Sequence, residues 1–104
     1  MVEGIIGKII PTEFALGKNF PNPFNPSTTI SLIIPERSEI TLKVFNILGQ
    51  EIIILYQGNL EAGRHFFKWN GINVEGQQVP SGVYIYSMST SQGYHFARKM
   101  VLIR

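Results

Sequence analysis

Apolar residues recur at every second position along most of this chain, which is the period of a strand with one buried face. Between Thr28 and Ile34, the set Ile30, Leu32, Ile34 shares one face and Thr29, Ser31, Ile33 the other, and Pro35 closes the strand. Ile40, Leu42 and Val44 repeat the pattern against Thr41, Lys43 and Phe45. Asn46 to Gln50 predicts a reversal in which Gly49 takes a positive φ, and Glu51 to Tyr56 returns as an aliphatic strand, completing a hairpin. Gly58 to Gly63 reads as the next turn. Arg64 to Asn70 sets His65, Phe67, Trp69 against Arg64, Phe66, Lys68, and Asn70 to Gly82 predicts a long loop. Val83 to Thr90 opposes Val83, Ile85, Ser87 to Tyr84, Tyr86, Met88; after a short turn over Ser91 to Gly93, Tyr94 to Ile103 forms the last strand.

About six strong strands, with a weaker one ahead of Asn19, predict an all-β fold: an immunoglobulin-like antiparallel β-sandwich of about seven strands. A small barrel is the structural rival. No window keeps a helical stripe longer than about two turns before a Gly or Pro intervenes. Residues 1–13 lack a clean alternation and read as a linker or an added edge strand, leaving residues 14–104 as the sandwich domain.

Composition narrows the chemistry. With 104 residues and 44% hydrophobic positions the chain has material for one modest core, which excludes intrinsic disorder. Lys, Glu, Pro or Gly interrupts every apolar stretch, so no membrane-spanning helix is expected. Nine basic and seven acidic residues leave +2, scattered along the chain, which is no footprint for nucleic acid. Met1 to Ile10 is apolar but has neither the basic start nor the cleavage site of a secretory signal. The absence of Cys removes disulfides, thiolate metal sites and Cys nucleophiles, and the absence of Asp leaves seven Glu as the only side-chain carboxylates.

Candidate chemistry is correspondingly sparse. His65 and His95 each fall inside a predicted strand with no nucleophile elbow, so no catalytic residues are assigned and no enzyme activity is expected. The two histidines lack a third metal ligand, and Asn70, Asn73 and Glu75 are too poor in charge for a calcium loop; no metal or other cofactor is assigned. Phe66, Phe67, Trp69, Tyr84 and Tyr86 offer either a sugar-stacking platform or sandwich core, and alternation favours core.

The densest irregularity is Asn19-Phe20-Pro21-Asn22-Pro23-Phe24-Asn25-Pro26-Ser27-Thr28-Thr29. Each Pro fixes its own φ and pushes its predecessor extended, giving a stiff, hydrogen-bond-poor approach to the first strong strand. It serves either as a cover for a sheet edge or as a pre-organised recognition element.

These residues, in order with Val44-Phe45-Asn46-Ile47-Leu48-Gly49-Gln50-Glu51, Ala62-Gly63, Trp69-Asn70-Gly71, Ser81-Gly82-Val83-Tyr84 and Arg98-Lys99-Met100-Val101-Leu102, resemble the C-terminal sorting domain of the type IX secretion system, the Por system. The resemblance runs from Phe14 to Arg104 and departs at Asn70, where that family more often has Asp. It extends more loosely to the immunoglobulin-like domain of the flagellar hook-capping protein. It implies a non-catalytic domain closing a larger precursor, whose partners are the upstream cargo domain, the outer-membrane secretion machinery and a surface sortase-like protease. The cargo would pass through the periplasm to the cell surface or be secreted. The positions it singles out are Pro21, Asn22, Pro23, Phe24, Pro26, Gly49, Gly82, Tyr84, Lys99, Met100 and Val101, with the closing strand as the expected recognition element and Pro21 to Pro26 as the junction with the cargo. A carbohydrate-binding accessory module and a structural assembly domain of hook-cap type, with self-association through a strand edge, are the alternatives.

Overall fold

The computed structural model describes residues 13–104; the linker or edge strand expected over residues 1–13 lies, apart from Glu13, outside them. Seven strands follow in order: β1 (Ala15–Leu16), β2 (Thr28–Ile34), β3 (Ser38–Asn46), β4 (Glu51–Leu60), β5 (Gly63–Trp69), β6 (Gly82–Thr90) and β7 (His95–Leu102). They form two antiparallel sheets, β1-β2-β5 and β4-β3-β6-β7, packed as an immunoglobulin-like sandwich. The weak strand expected ahead of Asn19 is β1, and no helix occurs among the described residues.

The core is the sum of the alternating faces. Ile30, Leu32 and Ile34 of β2 and Ile40, Leu42 and Val44 of β3 are fully buried, and Tyr84, Tyr86 and Met88 of β6 join them with Met100 and Leu102 of β7. Each such side chain contributes about 1.5–3 kcal/mol by leaving water. Trp69 at the end of β5 lies between Phe24 and Tyr84, with ring centroids 5.8 and 5.3 Å away, and its indole N–H donates to the carbonyl of Ile72 at 2.9 Å. Trp69, Tyr84 and Tyr86 are therefore core, and Phe66 alone of the five aromatic residues considered for sugar stacking is substantially exposed.

One boundary differs from the sequence expectation. The turn predicted over Gly58 to Gly63 is confined to Glu61 and Ala62, because β4 continues through Gly58 to pair with β3 as far as Ser38 opposite Leu60. Two register shifts in this ladder, near Leu42 and near Val44, are bulges that break strict alternation along β4. Ile52, Ile53, Leu55 and Tyr56 consequently all pack against the core from one edge strand. At the other end of the hairpin Gly49 has φ +81°, and Asn46 Oδ1 accepts from the amides of Leu48 and Gln50 at 2.9 and 3.0 Å, closing the predicted reversal.

Candidate functional site

The proline-rich segment leaves β1, crosses from one sheet to the other and returns to start β2. Its base is pinned at Asn19, which is buried and donates through Nδ2 to Thr28 Oγ1 at 3.0 Å and to the carbonyl of Pro21 at 3.3 Å. Thr28 Oγ1 itself donates to that carbonyl at 2.8 Å. Phe20 and Thr29 exchange both backbone hydrogen bonds at 2.9 Å, carrying the β1-β2 pairing up to the first proline. The peptide bonds preceding Pro21, Pro23 and Pro26 are all cis.

Beyond Pro21 the segment runs along the outer edge of β7. Asn22 Oδ1 accepts from the amide of Val101 at 3.0 Å, the Phe24 amide donates to the Val101 carbonyl at 3.0 Å, and the Ile103 amide donates to the Phe24 carbonyl at 2.9 Å. Phe24 thus makes a parallel bridge opposite Leu102, and its ring is buried against Trp69. The three prolines have no N–H to offer a further strand, so the segment satisfies the last turns of β7 without extending the sheet. Along this edge the backbone groups of Val101 and the amide of Ile103 are thus paired, and the Arg98 and Lys99 side chains line the surface beside the seam.

A groove of about 780 Å³ lies beside this seam. Pro21, Asn22 and Pro23 form one wall, Lys99 and Arg98 of β7 the other, and Lys18 and the highly exposed ring of Phe20 stand at its end. Arg98 is fixed by donating from Nε to the carbonyl of Leu16 at 2.6 Å, which also ties β7 to β1. Among the described residues, Lys18, Arg98 and Lys99 are the only charged ones lining the groove, all of one sign. Tyr86 lies beneath, its hydroxyl donating to the carbonyl of Gly17 at 2.7 Å. Burial pushes the Tyr86 phenol above its ordinary pKa, against the opposing pull of a backbone hydrogen bond and of the Arg98 charge. Burial also raises Tyr84, offset by Arg104. Both phenols are therefore neutral donors at physiological pH.

Of the positions singled out by sequence, Pro21, Asn22, Pro23 and Lys99 meet in this groove, and Val101 backs it through its peptide. Pro26 is exposed on the return to β2. Phe24, Tyr84 and Met100 are core side chains and offer a partner no surface. Gly49 sits in the β3-β4 turn and Gly82 opens β6 opposite Leu102, both outside the groove. Sequence reasoning missed Lys18, which adjoins the proline motif, and it quoted Asn19 and Arg98 within the motifs without singling them out as site positions.

The loop considered for calcium is held by its own side chains. Asn73 Oδ1 accepts from the amides of Glu75 and Gln77 at 3.1 and 2.9 Å, and Asn70 Oδ1 accepts from Ser27 Oγ at 2.9 Å. Among the described residues no group of three His, Cys, Asp or Glu could hold a metal ion, and no helix is long and apolar enough to cross a membrane. The groove can orient an anionic or extended ligand by charge and by hydrogen bonds.

Fold and groove together define a small immunoglobulin-like module with a proline-walled cationic surface. The sequence profile of the FlgD Ig-like domain matches residues 22–93, and the chain belongs to that family. Among solved structures, dimeric latent PorU from Porphyromonas gingivalis aligns over 89% of this chain and 10% of its own, with TM-score 0.70 and 17% identity. FlgD from P. aeruginosa aligns over 73% of this chain and 59% of its own, with TM-score 0.59 and 26% identity. PorZ of Porphyromonas gingivalis, an essential bacterial surface component of the type-IX secretion system, aligns over 88% of this chain and 11% of its own, with TM-score 0.55 and 23% identity. The chain thus spans about a tenth of PorU and PorZ. No curated protein matches it.

Proposed function

We propose that this chain is a non-catalytic sorting domain: a folded tag closing a larger precursor, read by type IX secretion machinery after passage through the periplasm, with its cargo delivered to the cell surface or released. The observation that carries this reading is the seam between Asn22-Pro23-Phe24 and Val101-Leu102-Ile103. It joins into one surface two of the blocks that resemble the sorting family, the proline motif and the closing strand. A tag read in the folded state needs a rigid surface, and a proline-fixed wall loses little entropy on binding. The shared fold with PorU and PorZ supports the same setting.

The test is charge reversal at two exposed positions, Lys18→Glu with Lys99→Glu, in a reporter fusion expressed in a type IX-competent bacterium. Both side chains point to solvent, so thermal unfolding of the purified variant should match the parent. The reporter should accumulate in the periplasm; export at the parental level would overturn the reading. Membership of the FlgD Ig-like family favours one second reading, a structural assembly module. That reading expects the isolated domain to gain mass with concentration in sedimentation experiments, and expects the reporter fused to the parental domain to stay in the periplasm.

A further inference from the structure

A second cavity lies away from the cationic groove and has the opposite character. It has a volume of about 610 Å³, within the size range of about 300–1,000 Å³ usual for small-ligand sites. Phe14, just ahead of β1, and Tyr94, just ahead of β7, stand with ring centroids 5.1 Å apart and planes tilted by 37°. Phe96, partly buried against the core, adds a third ring. Among the described residues, Glu13 and Glu36 contribute the only charges to the lining, from separate segments before β1 and after β2. The ion pairs among the described residues are Arg37 with Glu61 and Lys43 with Glu51, so neither of these two carboxylates is committed to one there.

Three aromatic residues and two glutamates around one cavity suit a single ligand chemistry. Ring faces attract a cation through their quadrupole, carboxylates attract it by charge and hydrogen bonding, and both disfavour an anion. The wall is also held in place. Gln92 Nε2 donates to Ser38 Oγ at 3.2 Å, and Ser38 Oγ donates to the Glu36 carbonyl at 2.7 Å, which links the β6-β7 turn to the residues that follow β2. Tyr94 is 54% exposed, so its ring is reachable from solvent while it packs, tilted, against Phe14.

We infer that this cavity is a binding site for an organic cation bearing a guanidinium or ammonium head, held between the Phe14 and Tyr94 rings and the Glu13 and Glu36 carboxylates. It shares no residue with the cationic groove, so its occupancy is independent of the sorting reading.

The test uses the whole chain and follows the aromatic proton resonances of Phe14, Tyr94 and Phe96 during titration with three probes: acetyl-arginine methylamide, agmatine and the neutral acetyl-citrulline methylamide. Saturable shifts confined to these rings are expected for the two cationic probes, with binding of the neutral analogue weaker by about tenfold or more. Preference for the peptide-like probe would mark a polypeptide side chain as the ligand, and preference for agmatine a free polyamine. Glu36→Gln, an exposed change compatible with folding, should weaken cation binding and leave that of the citrulline probe unchanged; Tyr94→Ala should weaken both. Equal affinity for the citrulline and arginine probes, or no saturable shift with either cation, would overturn the inference.

Discussion

The side chain of Arg104 is tied more firmly than a terminal residue needs to be. Its amide donates to Ser81 Oγ at 2.8 Å, and its guanidinium donates to the carbonyls of Val79 and Gly71, closing the long loop between β5 and β6 onto the end of β7. Gly71 makes this possible. It has φ +73°, and a Cβ there would lie 2.8 Å from the Arg104 guanidinium and 3.2 Å from a methyl of Leu102. Gly71→Ala therefore meets both backbone strain and a collision and should destabilise the fold by about 1–3 kcal/mol, read as a lower urea midpoint at unchanged slope. Gly49→Ala supplies the comparison: its φ is also positive, but open space surrounds the new methyl. A loss at Gly71 no larger than at Gly49 would show that the Arg104 clamp contributes nothing.

At the scale of elements the proline segment behaves as an edge cover as well as a wall of the groove. Phe24→Ala removes the buried ring from its place beside Trp69 and should cost about 3–5 kcal/mol, mostly as lost packing. It should also loosen the seam over Val101 and Ile103, freeing strand edges, so the surviving folded fraction should show concentration-dependent association by light scattering. A destabilised variant that stays monomeric at all concentrations would separate the packing role from the edge-covering one. This element also marks how far sequence reading reaches. Alternation was sufficient for β2 and β3, and for β6 apart from Ser87, which is buried on the face opposite Tyr86 and Met88. It failed on β4, where bulges turn consecutive aliphatic residues toward the core and a glycine inside the strand imitates a turn. It could state both roles for the proline segment without choosing, because the choice rests on bonds between Asn22 and Val101, 79 positions apart. The groove was half legible for the same reason: the motifs named Pro21, Asn22, Pro23 and Lys99, but only the crossing of β1 over β7 brings Lys18 and Arg98 to them.

For the molecule as a whole, the end of the chain is both the expected address and a structural member of the sandwich. Met100 and Leu102 are fully buried in β7, and the backbone of residues 101–103 anchors the proline segment. Removing residues 99–104 deletes both core side chains, at about 2–5 kcal/mol each, from a domain whose total stability is of the order of 5–15 kcal/mol. That truncation should show no cooperative thermal transition and should lose the β-sheet circular dichroism, so failure of its cargo to be exported would report unfolding rather than an unread signal. Removing residues 103–104 alone spares the core and takes away the Arg104 clamp and the Ile103 bond. This shorter variant should still melt cooperatively, at a lower temperature. Export measured on it, rather than on the longer deletion, separates recognition of the terminus from the need for a folded domain. A cooperative, native-like melt for the chain lacking residues 99–104 would show instead that β7 is dispensable to the sandwich, and with it the idea that the address and the core are one element.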